Sequence, residues 1–375
     1  VSKICYVIGT LEIGGAERQL LKLLKYMDKE KFLPVFIALR GGAMRKEFEK
    51  MVKVIVIGKR WKIDPVLLFR LIKVIKAEKP DILHTSMFTS NTWGRIAGKI
   101  AHVPFIIGSE LCVDLGKRWY HRLMDRALLP FTDIIIANSD AVKKFYQKTE
   151  RIPEEKLIVI NNGVELEELP DIEENPLFRE NLGIEKKGFI IGAGGRFTEQ
   201  KGFMYLLRAI PEVLKVYPES TFIFVGDGPL RQYFEDYVRE NKLKGSVVFT
   251  GYRKDILKIF ALCDIIAVPS VFEGLPNVVL EGMFLSKPVI GTDIPEIAYL
   301  VDDGTTGLLV PVKNTRELAE KIILLLQKPE LRRSMGEKGH NVVRDRFSLS
   351  AMVKNYEKVY SEGKRINKCA RYVES

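Results

Sequence analysis

The chain has 375 residues, 46% of them hydrophobic, which is longer than one core ordinarily organises and ample for two buried sheets. A formal net charge of +11 asks for a negative partner, and since no nucleic-acid reader motif is present, nucleotide phosphates or an anionic membrane surface are expected rather than nucleic acid. No apolar run approaches the roughly 18–20 residues that cross a bilayer, and Val1-Ser2-Lys3 leads into a strand pattern without a signal-peptide layout, so a cytoplasmic protein is expected, with association at the inner face of the membrane as an option. The four cysteines, Cys5, Cys112, Cys263 and Cys369, form no Cys-x-x-Cys pair and suggest neither a disulfide framework nor a zinc site.

In chain order, Ile4 to Ile8 is a short apolar run ending at Gly9, and Gly14-Gly15 precedes a helix-period stretch with Leu20, Leu21, Leu23 and Leu24. Strands are predicted at Val35 to Leu39, Val54 to Ile57, Ile82 to Leu83, Phe105 to Ile107, Ile134 to Ala137 and Leu157 to Ile160, with helices such as Leu67 to Ala77 and Gly94 to Ala101 between them. Alternation of this kind implies right-handed crossovers and a parallel sheet. An acidic, irregular stretch from Glu165 to Pro176 reads as a linker. The pattern then restarts, with strands at Phe189 to Ile191, Phe222 to Val225, Val247 to Phe249, Ile265 to Val268, Val289 to Ile290 and Leu308 to Val310. A last helix from Leu349 to Tyr360 carries one stripe of Met352, Val353, Tyr356, Val359 and Tyr360. The expected fold class is α/β, two Rossmann-like doubly wound parallel-sheet domains facing across a cleft, divided as 1–165, 166–345 and a terminal helix and basic tail over 346–375.

Three common nucleotide signatures are missing: G-x-x-x-x-G-K-[ST], a proper G-x-G-x-x-G, and an Asp-x-Asp that would hold a metal. A bound diphosphate would have to be neutralised by protein cations and backbone amides. Gly194-Gly195-Arg196 and Lys201-Gly202 put an arginine and a lysine at a turn between a strand and a helix, within reach of one pyrophosphate. The segment Glu273-Gly274-Leu275-Pro276-Asn277-Val278 leads from a strand through a tight turn into a helix that starts near Asn277, aiming free amides at an anion. Glu273 precedes that turn and Glu281 lies one helical turn beyond Asn277, so one carboxylate can accept from sugar hydroxyls and the other from ribose hydroxyls.

With these elements in place the sequence resembles the family-four retaining glycosyltransferases of GT-B fold over nearly its whole length. The resemblance rests on Gly14-Gly15-Ala16-Glu17-Arg18, Asn162-Gly163-Val164, Gly195-Arg196 with Lys201-Gly202, Val225-Gly226-Asp227-Gly228-Pro229, Gly251-Tyr252-Arg253-Lys254-Asp255, and the Glu273 to Glu281 element. It implies a nucleotide-sugar donor held mainly by the C-terminal domain. Arg196 and Lys201 would bind the diphosphate, Glu281 the ribose and Glu273 the transferred sugar, with the Gly251 to Asp255 loop bordering the base. Donor contacts are accordingly expected at Gly15, Gly195, Gly228, Arg253, Leu275, Pro276, Asn277, Val278 and Glu281, and catalytic roles at Arg196, Lys201, Glu273 and Glu110. A UDP-sugar is expected over a GDP-sugar, with no cofactor and no divalent metal. The resemblance also implies that the terminal helix crosses back to the N-terminal domain.

One departure concerns Glu110, which follows Val103-Pro104 and a strand where many relatives carry a histidine; a donor-sugar contact, an acceptor base or a cap for the next segment all fit it. His84, at another strand end, is either a cleft-facing group or a structural one. Gly14, His84 and Asn91 are the acceptor-side candidates. Lys59-Arg60-Trp61-Lys62 and Lys117-Arg118-Trp119-Tyr120 mix charges with rings in a way that suits either a lipid headgroup boundary or a solvated basic face. The expected activity is retaining transfer of a hexosyl or N-acetylhexosaminyl group from a nucleotide-sugar to a glycan or polyprenyl- or lipid-linked acceptor in cell-surface polysaccharide or glycolipid synthesis. A sugar-nucleotide epimerase or hydrolase and a noncatalytic sugar-nucleotide-binding subunit are the alternatives.

Overall fold

The computed structural model describes residues 1–59, 64–114, 116–165 and 176–373, and it divides into two compact units, Val1–Gly163 with Leu349–Ser375, and Val164–Ser348. Most of the acidic stretch read as a linker, and Arg60, Trp61 and Lys62, lie outside the described residues.

In the first unit, β1 (Ser2–Ile8), β2 (Phe32–Ala38), β3 (Lys53–Val56), β4 (Ile82–Ser86), β5 (Phe105–Glu110), β6 (Ile134–Ala137) and β7 (Leu157–Val159) form a parallel sheet in the order β3-β2-β1-β4-β5-β6-β7. The strands are rich in Ile and Val because helices cover both faces of a parallel sheet, leaving no polar side. The order reverses between β1 and β4, so the loops that follow these two strands diverge and leave a crevice at their carboxyl ends. Strands β4 and β5 run to Ser86 and Glu110, well past the apolar runs that mark them in the sequence. Their polar ends stay buried because they are paired: Thr85 Oγ1 donates to Ile107 O and to Asn91 Oδ1.

The stripe of the terminal helix, Leu349–Val373, is buried in the core of this unit together with Ile4, Tyr6, Phe32 and Phe105. Each such side chain removed from water contributes roughly 1.5–3 kcal/mol, so the helix is an integral layer of the first unit. Gly163 fits this packing because a side chain there would lie 2.6 Å from Leu349 Cα.

In the second unit, β8 (Ile190–Gly194), β9 (Thr221–Val225), β10 (Val247–Gly251), β11 (Ile265–Val268), β12 (Val289–Thr292) and β13 (Gly307–Val310) form a parallel sheet in the order β10-β9-β8-β11-β12-β13. Its reversal falls between β8 and β11, and the loops after these two strands are the ones that carry the Arg196–Gly202 and Glu273–Asn277 segments. Both units are Rossmann-like. Cys5 and Cys263 are buried free thiols and Cys112 is a half-buried one; the side chain of Cys369 lies outside the described ones.

Candidate functional site

The loop after β8 is shaped by two glycines. Gly195 has φ +144 and Gly202 φ +62, conformations that side chains rarely adopt, and a Cβ on Gly202 would strike Pro269 O at 2.0 Å. The loop after β8 therefore lies directly against the loop after β11. Lys201 folds its stem over Gly195, where a Cβ would come within 3.2 Å of Lys201 Cε. Its ammonium then reaches Glu273 Oε1 at 2.7 Å, which also accepts from Ser270 Oγ at 2.6 Å. Gln200 reinforces the seam by donating to Phe272 O and accepting from Val271 N–H. Arg196 is exposed on the same loop, with no side-chain partner among the described residues. Gly228 follows the β9 strand and packs so closely on this loop that a Cβ would sit 2.7 Å from Phe197 N.

Beyond β11 the turn Gly274-Leu275-Pro276 delivers the chain into the helix Asn277–Phe284, which starts where the sequence places it. Leu275, Pro276 and Val278 are buried and anchor the turn, and Asn277 is half-buried. Its N-cap residue, Pro276, makes no side-chain cap hydrogen bond, and the helix start carries the partial positive charge of the helix dipole. Glu281 is buried one turn further on, with no side-chain hydrogen bond or ion pair among the described residues. Arg253 is held by a two-pronged ion pair to Asp255, at 2.8 and 2.7 Å, just after β10.

Glu296, absent from the sequence-based candidates, joins this set. It lies in the helix Pro295–Ala298 after β12, and burial together with the nearby Glu273 carboxylate raises its pKa. Strand β12 is tied to the β11 turn by Thr292 Oγ1 donating to Ser270 O at 2.5 Å. A single glutamate in Ile294-Pro295-Glu296 has no local pattern that marks it; only the neighbouring strand ends show its company.

In the first unit the predicted residues sit differently. Gly14 is extended and precedes the helix Gly15–Tyr26, where a Cβ would strike Glu17 Oε2 at 2.2 Å; Gly15 is exposed at the helix start. His84 does not open onto solvent. It is buried, with Nδ1 2.9 Å from Tyr360 Oη and Nε2 2.6 Å from Ser109 Oγ, and burial drops its pKa to about 3. With both ring nitrogens engaged, a neutral His84 ties β4, β5 and the terminal helix together, and the acceptor-side expectation gives way to a structural role. Asn91 is likewise buried. Its amide nitrogen donates to Ser109 O at 3.0 Å and to Glu110 Oε1 at 2.9 Å, so it positions Glu110.

Glu110 ends β5 as a buried carboxylate in a charge cluster, not as a helix cap. Lys117 Nζ lies 3.5 Å from Glu110 Oε1, 2.9 Å from Asp125 Oδ2 and 2.8 Å from Glu150 Oε1, and Arg95 binds Asp125. Burial raises the pKa of Glu110, with Lys117 opposing the shift, and pushes Glu150 up to about 7. Burial works against the charge on Lys117, yet the three carboxylates hold its pKa above the ordinary lysine range. Lys117 thus faces the interior, correcting the expectation that it lies at a lipid boundary or on a solvated basic face. Met87, at the end of β4, was also invisible in the sequence: its φ of 70 and ψ of 158 put a bulky residue in a region that glycine ordinarily occupies.

Comparison with known proteins shows the family and the fold. Residues 13–168 match the model described as Glycosyltransferase Family 4, and residues 188–328 match Glycosyl transferases group 1. An uncharacterized glycosyltransferase of Methanocaldococcus jannaschii is 30% identical over 295 residues, 77% of each chain. The chain belongs to the group 1 glycosyltransferases. Another relative of this glycosyltransferase is the UDP-Gal:alpha-D-GlcNAc-diphosphoundecaprenol alpha-1,3-galactosyltransferase of Escherichia coli, 27% identical over 327 residues and covering 83% of this chain and 84% of the relative. In fold it is similar to Anabaena HepE in complex with UDP-glucose, with a TM-score of 0.86 at 22% identity, covering 96% of this chain and all of that one. Among the described residues no group of three His, Cys, Asp or Glu is placed to hold a metal ion, and no helix is long and apolar enough to cross a membrane.

Proposed function

We propose that this glycosyltransferase moves a hexosyl or N-acetylhexosaminyl group from a UDP-sugar to a polyprenyl- or lipid-linked glycan, with retention at the anomeric carbon and without a divalent metal. The observation that carries the reading is the assembly at the reversal point of the second sheet: an exposed Arg196, the Lys201–Glu273 pair and the N-terminal end of helix Asn277–Phe284. Two cations and a helix terminus answer the charge of a diphosphate without a metal. In this reading Glu281 takes the ribose hydroxyls, Glu273 those of the transferred sugar, and the Gly251–Asp255 loop with Arg253 borders the base. Gly195 and Gly228 admit the phosphates close to the backbone, with Leu275, Pro276 and Val278 as the wall behind them. The names of relatives supply the donor and acceptor classes, since the Escherichia coli protein is named for UDP-Gal and a diphosphoundecaprenol-linked sugar.

The chemistry follows from where charge develops. The bond from the anomeric carbon to the diphosphate oxygen breaks, the acceptor oxygen bonds to that carbon on the same face, and the acceptor proton passes to the departing phosphate oxygen. Negative charge grows on the diphosphate, so Arg196, Lys201 and the helix amides stabilise the transition state more than the ground state. In the first unit we assign Glu110 to a sugar hydroxyl and the Gly14-Gly15 turn to close approach of the acceptor. A lipid-linked acceptor would bring the enzyme to the membrane surface peripherally.

The test is a transfer assay with a set of UDP- and GDP-sugars, a lipid-linked acceptor and EDTA, followed by NMR of the product's anomeric linkage. Transfer from a UDP-sugar in EDTA with an unchanged anomeric configuration is expected. An inverted product or activity abolished by EDTA would refute the mechanism, and conversion of the donor alone at full rate would make the protein an epimerase.

A further inference from the structure

The helix Trp119–Leu128 is amphipathic in the reverse sense to a helix lying on a core. Its inward side is charged: Asp125 is buried and binds Arg95 and Lys117. Its outward side is apolar, with Trp119 76% exposed, Leu123 57%, Met124 41% and Tyr120 38%. At about 100° per residue these four side chains share one sector, and Arg122 runs along its margin, while Arg126 is folded back to donate to Thr149 O and Glu150 O. The helix cannot hide this face by rolling over. Half a turn would carry Asp125 to solvent and strip buried Arg95 of its carboxylate and Lys117 of one of its three, and a buried charge that loses its partner is strongly destabilising. Phe131, in the turn that follows the helix, is exposed as well, beneath the Lys99 ammonium.

We infer that this face docks on an anionic lipid bilayer, with Trp119 and Leu123 entering the headgroup boundary and Arg118 and Arg122 meeting lipid phosphates. Charge complementarity selects this occupant. The only acid on the helix is Asp125, which faces inward, while Arg118 before it is exposed and the whole chain carries +11. Rings and aliphatic tips flanked by arginines are the composition of interfacial helices. A second copy of the chain would set the same arginines against each other across a twofold axis. The inference rests on the proposed lipid-linked acceptor only as the reason for visiting a membrane; its physical basis is the helix itself.

The experiment is co-flotation of the full chain with mixed phosphatidylglycerol–phosphatidylcholine vesicles and with phosphatidylcholine alone, for wild type and a Trp119→Ser, Leu123→Ser double variant. Wild type is expected to float with the anionic vesicles and to release as salt rises, and the double variant to lose on the order of tenfold in partitioning. Turnover of a water-soluble acceptor should be the same for both proteins. Wild type left in solution, equal flotation of the two, or a wild-type dimer that the variant splits would overturn the inference. Flotation without any sugar transfer would instead sink the proposed function while leaving the docking face in place.

Discussion

The two units share one architecture and use charge in opposite ways at the carboxyl ends of their strands. In the second unit Arg196 stands exposed and Glu281 is buried, each without a side-chain partner among the described residues. In the first unit Arg95, Lys117, Asp125 and Glu150 are all buried and spent on one another. Unsatisfied groups at a reversal point indicate a ligand; satisfied ones indicate a lock. The lock in the first unit fixes helix Trp119–Leu128 in the orientation that turns its apolar side outward.

The largest expected effect comes from breaking the lock. Lys117→Met leaves three buried carboxylates without their common cation and should lower unfolding stability by about 3–5 kcal/mol in urea titrations. A loss under about 1 kcal/mol would mean that the cluster is wet and contributes no lock. The opposite pattern is expected at Arg196, whose exposed side chain supports no packing. Arg196→Ala should cut kcat about a hundredfold or more and leave the melting temperature nearly unchanged. Normal turnover would remove Arg196 from the diphosphate site.

Smaller but more selective is the pH response of Glu150. Its native pKa, about 7, lies above the unfolded value near 4.5, so the native state binds more protons in between. Stability from this group is complete below the lower value and is lost as pH rises through the upper one. Wild type should therefore gain on the order of 1 kcal/mol on acidification from neutral pH towards the unfolded value, and Glu150→Gln should flatten that slope. An equal slope in the variant would assign the titration to other groups.

The same contrast explains how much could be read from the sequence. Alternating apolar runs mark the strands because parallel sheets bury both faces, and the Gly274-Leu275-Pro276 turn announces the start of a helix at Asn277 through local chemistry alone. The second unit's candidates were legible for this reason: Lys201 and Glu273 each sit in a short segment with its own turn signals. The first unit's were not, because their meaning depends on distant partners. Lys117 and Trp119 are two residues apart, yet one is buried and the other largely exposed. What decides between them is Glu150, 33 positions on from Lys117. His84 looks available in sequence, and is closed off by Tyr360, 276 positions away. Glu296 and Met87 carry their signals in tertiary proximity and backbone conformation, which residue type does not reveal.

The account turns on Glu281 being a carboxylate kept unpaired for a nucleotide, and calorimetric titration of UDP in EDTA against wild type and Glu281→Ala addresses this most directly. It predicts metal-independent binding to wild type, weakened about tenfold or more in the variant, with the variant melting no lower because no internal bond is lost. Equal affinity for the two proteins, or binding that appears only when a divalent metal is restored, would contradict it.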